Sequence, residues 1–249
     1  MLSSNQIKEI RSLKQKKFRQ KYDKFVVEGH KTSIEFIKSG AFVIESIFAV
    51  EQWINHNQGL IRKYNDVVVP VSPKEMERIT LLSTPSEVLL VCHRRDDAVN
   101  LALNDLDYGF YLDDLQDPGN VGTILRIADW FGMKYIFFSE NTVDQYNPKV
   151  VQASRGSMCN VGIIRQDIAS LKEANNVTIV GTDMQGEKLA DYKWHTPSII
   201  ILGKEGSGMT EQSRKAMASM ITIPGSDSSI AESLNVASVA SIIAYTIKV

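Results

Sequence analysis

Two runs of four apolar residues, Tyr135–Phe138 (YIFF) and Ile199–Leu202 (IIIL), limit the folds open to this chain more than any other feature. A strand that is apolar at every position, rather than at every second one, must be covered on both faces. Shorter runs at Phe110–Leu112, Val177–Gly181 and Ile221–Ile223 alternate with segments of helical period at Val121–Phe131, Pro148–Ser154, Met209–Ala218 and Val236–Ile247. That alternation predicts an α/β fold with a mostly parallel sheet between helices. Ligands of such sheets bind beyond the carboxyl ends of the strands, where the loops Asp113–Asn120, Thr182–Gly186, Gly203–Gly208 and Pro224–Glu232 all fall.

The front of the chain reads as a separate, smaller α/β unit. Ile7, Ile10 and Leu13 mark the buried face of a first helix, and Lys24–Glu28 reads as a strand that turns at Gly29 into a helix ending at Gly40. Strands at Ser46–Val50, Val67–Val71 and Val88–Cys92, with helices near Glu51–His56 and from Pro73, complete it. The mixed charges of Arg94–Asp105 (RRDDAVNLALND) have no sustained period, which places a linker at residues 96–106 between domains 1–95 and 107–249.

Charge is distributed unevenly between these parts. The whole chain carries a formal net charge of −1, yet Lys8, Arg11, Lys14, Lys16, Lys17, Arg19, Lys21, Lys24 and Lys31 face only Glu9, Asp23 and Glu28 in the same stretch. A basic front ahead of an acidic body points to a polyanion held at one end. Cys92 and Cys159 stand far apart, and His30, His56, His93 and His195 form no ligand pattern, which argues against a disulfide framework or structural zinc. No apolar run approaches the length of a membrane span and the N-terminus lacks the apolar centre of a signal peptide, so the expected location is the cytoplasm.

Three loops carry unusual chemistry. In LDDLQDPGNVGTILRIADWFG (112–132), a turn at Asp117-Pro118-Gly119 leads into a helix with Asn120 near its cap, and Arg126 lies almost two turns further on. Asp113, Asp114 and Asp117 read as solvated or capping carboxylates rather than metal ligands. In ILGKEGSGM (201–209), three glycines follow a buried strand and allow close backbone approach to a ligand. The spacing is neither G-x-G-x-x-G nor a Walker A loop, so nicotinamide oxidoreductases and P-loop NTPases are poor readings. In ITIPGSDSSIAESLNVASVASIIAY (221–245), Glu232, Ser233 and Asn235 stand at the entrance of a slim helix whose free N–H groups point outward.

Together, DPGNVGTILRIADWFG, ILGKEGSGM and IP…ESLNVASVAS resemble, in order and spacing, the SpoU (TrmH) family of RNA ribose 2′-O-methyltransferases within the SPOUT class. LKQKKFRQKYDKFVVEG and ITLLSTPSEVLLV resemble the small α/β RNA-binding domain found ahead of it in many members. The resemblance implies a deep trefoil knot in the C-terminal domain, which periodicity alone would reject because knots are rare. It implies S-adenosyl-L-methionine as cofactor, seated by Thr182, Leu202, Gly203, Ile223 and Leu234, and no metal. Catalytic positions map to Asn120, Arg126, Glu205, Ser233 and Asn235. RNA would be held by Lys14, Lys16, Lys17, Arg19, Lys21 and Arg126, and the family implies a homodimer through the knotted domain.

The expected substrate is structured RNA, ribosomal RNA first and transfer RNA as the alternative within the class. An RNA-binding assembly factor that has kept the fold but lost turnover is the rival from another class, and the intact catalytic set argues against it. The sequence departs from the family pattern at Lys204, where asparagine is common, at Gln152, where many members have arginine, and in two extra residues within 225–232.

Overall fold

The computed structural model describes residues 2–95, 105–204 and 206–248. In chain order the elements are α1 (Ser4–Ser12), α2 (Lys16–Tyr22), β1 (Lys24–Glu28), α3 (His30–Ser39), β2 (Ile44–Ala49), α4 (Glu51–His56), α5 (Gln58–Ile61), β3 (Val68–Pro70), α6 (Pro73–Ile79), β4 (Val88–His93), β5 (Tyr108–Leu112), α7 (Pro118–Trp130), β6 (Tyr135–Phe138), α8 (Pro148–Ser154), β7 (Gly162–Arg165), α9 (Ile168–Asn175), β8 (Thr178–Lys188), β9 (Ser198–Leu202), α10 (Glu211–Ala216), β10 (Ser219–Thr222) and α11 (Val236–Lys248). They form two compact units, Met1–Asp96 with Asp144–Asn160, and Asp97–Val143 with Val161–Val249. The segment Asp144–Asn160 thus lies within the range 107–249 in sequence yet packs with the first unit. Most of the expected linker, residues 96–104, lies outside the described residues.

The first unit is built on a sheet of order β1-β4-β2-β3 in which β4 runs antiparallel to both neighbours and β2 and β3 are parallel. Strand alternation sends Val26, Phe48, Leu89 and Val91 to one face, where they meet Ile7, Ile10 and Leu13 of the first helical region and Met76 and Ile79 of α6. Phe25 meets Phe36 and Tyr146, with ring centroids 6.1 and 4.7 Å away. Local signals fix the helix starts: Ser3 with Gln6 and Ser72 with Glu75 form capping boxes, and Pro73 opens α6. Glu28 is buried at the end of β1, where its carboxylate accepts from Thr80 Oγ1 and Leu81 N, both at 2.7 Å, and burial pushes its pKa up.

Lys14, Lys16, Lys17 and Lys21 are exposed on this unit, but Arg19, expected among them, is only 2% exposed. Its guanidinium bonds Asp144 Oδ2 through Nε at 2.8 Å and Nη2 at 2.6 Å, while Nη1 donates to the carbonyls of Leu13 and Lys14. Arg19 is therefore an internal anchor for the turn between α1 and α2 and for the start of the 144–160 segment. Its place in a basic run concealed this, because a partner 125 residues away leaves no local trace.

The second unit carries a six-stranded sheet of order β10-β8-β9-β5-β6-β7, parallel throughout. Ile199 and Ile201 pack on one face with Tyr111, Phe137, Ile179, Leu171 of α9 and Ala216 of α10. Ile200, Leu202, Phe110, Leu112, Ile136 and Phe138 are also fully buried, as strands covered on both faces require. α7 packs against β5, β6 and α11. β7 and α9 are additional to the expected elements: GIIR is too short to show a period, and the cap that opens α9, Asp167 accepting from Ser170 N, stands ahead of only a short helix. The strand expected to stop at Gly181 continues to Lys188 after an excursion. Met220 pairs with Gly181 and Ile221 with Glu187, so residues 182–186 have no partner in β10. Gly186 ends the excursion, and a Cβ there would come within 2.4 Å of the Ile221 backbone.

Candidate active site

The expected site residues lie in the second unit, around the carboxyl ends of β5, β9 and β10 and the excursion of β8. Asp117 is the N-cap of α7 and accepts from Asn120 N at 2.8 Å, leaving the Asn120 side chain at the helix entrance. Asn235 opens α11 in the same way, its Oδ1 accepting from Ala237 N at 2.9 Å and its carbonyl from Val239 N at 3.1 Å. The two entrances meet, because Asn235 Nδ2 donates to Asn120 Oδ1 at 3.0 Å across 115 residues. Two of the five expected catalytic residues are thus in direct contact, and the N-terminal ends of two helices converge beside them.

Arg126 is exposed and lies on the solvent stripe of α7 with Gly119, Thr123 and Trp130. No hydrogen bond or ion pair joins its guanidinium to another described residue, so the surface ion pair that such an arginine would ordinarily make is absent among those residues. The structure does not bring Arg126 to Asn120, which is six residues away and on a different face of α7. Ser233 and Leu234 are exposed in the segment before α11, Leu234 at 49%. Glu205 lies outside the described residues.

The glycine loop after β9 is tightly closed. Lys204 N donates to Gly208 O at 3.1 Å and Gly208 N to Lys204 O at 2.8 Å, so the backbone doubles back. Gly203 is obligatory at this closure, since a Cβ would lie 2.6 Å from Gly208 C and 2.7 Å from Met209 N. Thr182, at the start of the β8 excursion, donates from Oγ1 to Ile201 O at 2.8 Å, and Leu202 is fully buried beneath the loop. Ile223 is half-buried where β10 gives way to the final crossing. Among the expected cofactor residues, then, Thr182, Leu202 and Gly203 gather around the end of β9. Gly206 and Gly225, by contrast, have nothing within 4 Å of where a Cβ would stand. A ligand held largely by backbone groups fits such open, side-chain-free stretches.

Of the acidic residues after β5, Asp117 caps α7 as expected, whereas Asp113 is buried and Asp114 is held by a neighbouring turn. Asp113 is 2% exposed, not solvated, and its carboxylate accepts from Thr210 N at 2.7 Å and Thr210 Oγ1 at 3.1 Å. Asp114, with φ 58°, exchanges hydrogen bonds with Ser139 and accepts from Asn141. Arg165, at the end of the missed β7, donates to the carbonyls of Ser139, Glu140, Thr142 and Val143 and so holds that neighbouring turn. Tyr111 is no candidate base: burial first, and the Asp113 charge second, push its hydroxyl well above the usual phenol range. Among the described residues no group of three or more His, Cys, Asp or Glu is arranged to hold a metal ion.

Residues 108–245 match the SpoU rRNA Methylase family, and residues 4–90 match the MRM3-like substrate binding domain. The chain is 28% identical over 250 residues to the 23S rRNA (guanosine(2553)-2′-O)-methyltransferase RlmP of Bacillus subtilis, covering 98% of this chain and 96% of that protein. A putative RNA methyltransferase of the TrmH family from Porphyromonas gingivalis superposes with a TM-score of 0.86 at 30% identity over 99% of this chain and 98% of its own. An AdoMet-bound rRNA methyltransferase from Sinorhizobium meliloti does so with a TM-score of 0.84 at 26% identity, over 99% and 95%. From its paired helix entrances to its closed glycine loop, the chain belongs to the SpoU rRNA methylase family.

Proposed function

We propose that this protein transfers a methyl group from S-adenosyl-L-methionine to a ribose 2′-hydroxyl of ribosomal RNA. The observation that carries the reading is the Asn120–Asn235 contact at the mouth of the sheet, within a chain that aligns end to end with a 23S rRNA 2′-O-methyltransferase. When bound, the cofactor supplies an electrophilic methyl on a sulfonium; the oxygen–carbon bond forms as the carbon–sulfur bond breaks, and the hydroxyl proton leaves. Such a displacement needs in-line placement and a dry site, and no metal. Asn120 and Asn235 fix one another's amides and orient the ribose. A guanidinium is a poor general base, so the role of Arg126 is to hold the target phosphate and stabilise the developing alkoxide, with the proton passing to phosphate or water.

The exposed Lys14, Lys16, Lys17 and Lys21 of the first unit support an RNA-holding role for the domain that matches a substrate-binding family. The crossing from β10, at the sheet edge, to α11, packed on α7, supports a knotted C-terminal segment, as in the family. Labelled methyl transfer to ribosomal and transfer RNA in separate reactions, followed by alkaline hydrolysis, tests the activity. Alkali-resistant 2′-O-methyl dinucleotides from ribosomal RNA are expected. Label in transfer RNA alone would overturn the substrate, and label in neither pool nor in pre-ribosomal particles would overturn the activity.

The active form we propose is a homodimer through α7 and α11. α7 and α11 pack together, and Trp130 and Tyr245 each stand ten residues beyond the joined Asn120 and Asn235, ~15 Å further along its own helix. Trp130 is 85% exposed and Tyr245 58%, with Ile242 exposed beside Tyr245 on α11. A second copy packed over the exposed sides of both helices would cover all three. Trp130→Glu with Tyr245→Glu is expected to convert a dimer to a monomer in sedimentation, and an unchanged sedimentation coefficient would exclude this face.

A further inference from the structure

The nine-residue stretch from Leu202 to Thr210 is fastened at both ends by the single residue that follows β5. Asp113 N donates to Leu202 O at 3.0 Å, and the Asp113 carboxylate accepts from Thr210 N at 2.7 Å and from Thr210 Oγ1 at 3.1 Å. Inside this staple the Lys204–Gly208 bridge closes the turn, and Gly203 packs directly against the Gly208 backbone. Outside it, Thr210 is itself the N-cap of α10 and accepts from Ser213 N. Asp113 therefore couples the end of β5, five residues ahead of α7, to both the start and the finish of the glycine loop. A carboxylate that is 2% exposed is costly to bury, and here the cost is offset, among the described residues, by donors from Thr210. An apolar residue would fill a buried strand end at lower cost if packing were all that mattered.

We infer that Asp113 is the positioning residue for the cofactor loop, setting the loop in its binding geometry before S-adenosylmethionine arrives. The inference rests on the reading that the loop opening at Leu202 and Gly203 seats that cofactor. A loop held at both ends loses little conformational freedom on binding, so the interactions made by its backbone appear as affinity. The carboxylate needs no contact with the cofactor to do this. Removing it frees the Thr210 end of the loop while leaving the Leu202 end joined through the Asp113 main chain, which any residue supplies.

The test is calorimetric titration of the full-length protein with S-adenosylmethionine, alongside steady-state methyl transfer at varied cofactor. Asp113→Ala is expected to weaken binding by about ten- to a hundredfold, the equivalent of one charge-assisted hydrogen-bond pair. Asp113→Asn keeps an acceptor for Thr210 N and is expected to lose less, with the Michaelis constant for the cofactor raised and the rate at saturation near the parent value. Ile164→Ala, in β7 two strands beyond β5, measures how far a general loss of packing weakens binding. Asp113→Ala binding within twofold of the parent, or no weaker than Ile164→Ala, overturns the inference. A parent protein that neither binds the cofactor nor transfers methyl instead overturns the methyltransferase reading on which the inference rests.

Discussion

Alanine in place of Arg126 is expected to slow methyl transfer by about a hundred- to a thousandfold, the usual effect of removing one donor that stabilises developing negative charge. Thermal stability and cofactor affinity are expected to stay near the parent values. That separation follows from the position of the side chain: Arg126 is exposed, shares a solvent stripe with Thr123 and Trp130, and makes no hydrogen bond or ion pair with any described residue. Exposed side chains without partners contribute within about half a kcal/mol to folding, so activity and stability come apart. Arg126→Lys keeps the charge but not the planar fork, and most of the loss is expected to remain. Near-full turnover in the lysine variant would rule out planar recognition of phosphate or alkoxide at this residue, and near-full turnover in the alanine variant would remove Arg126 from the reaction.

The largest effect on stability is expected in the other unit, at Arg19. Methionine there removes both donors to Asp144 and the shared donor to the Leu13 and Lys14 carbonyls, leaving a nearly buried carboxylate without its cation. Breaking such a pair from one side typically costs about 3–5 kcal/mol, whereas replacing both partners by apolar residues costs much less. Arg19→Met is therefore expected to destabilise the first unit by about that amount, and Arg19→Met with Asp144→Leu to recover a good part of it. Amide exchange across Lys24–Glu28, which adjoins both α2 and α8, reports the first unit without interference from the second. A loss below ~1 kcal/mol in the single variant, converted from the exchange rates, would show that the pair is dispensable and that Arg19 is free for another role.

The contrast between these two arginines shows where a sequence is informative. Both lie in helices with apolar neighbours, and both were assigned to RNA. Arg126 is exposed as that role requires, while Arg19 is committed to Asp144, a partner in a segment that packs with the first unit although it comes after α7 in the chain. The same limit applies to Asp113. Beside Asp114 and Asp117 it reads as one more carboxylate in a polar turn, and only the parallel pairing of β5 with β9 places its side chain under Thr210.

Local patterns carried most of the architecture. Strands β1 and β6 and helices α4 and α8 have the expected bounds, because apolar runs, proline at the first helical position and glycine at the helix end act over a few residues. The four residues GIIR have no measurable period, and α9 is signalled chiefly by its Asp167 cap rather than by a long apolar face. Residues 182–186 read as a loop in sequence, and only the pairing with β10 makes them an interruption within one strand. Strand continuity there depends on β10, which lies some forty residues later in the chain.

The sequence by itself determined that the C-terminal part of this chain forms a parallel sheet between helices, that three loops at its strand ends carry its chemistry, and which family those loops belong to. These properties are set by residue type, spacing and order, all of which are written along the chain. Tertiary structure alone decided that Asn120 meets Asn235, that Asp113 staples the glycine loop, and that Arg19 is buried rather than offered to a ligand. Each of these is a hydrogen bond between residues about a hundred positions apart, whose partner is chosen by strand order and helix packing rather than by anything in its own neighbourhood.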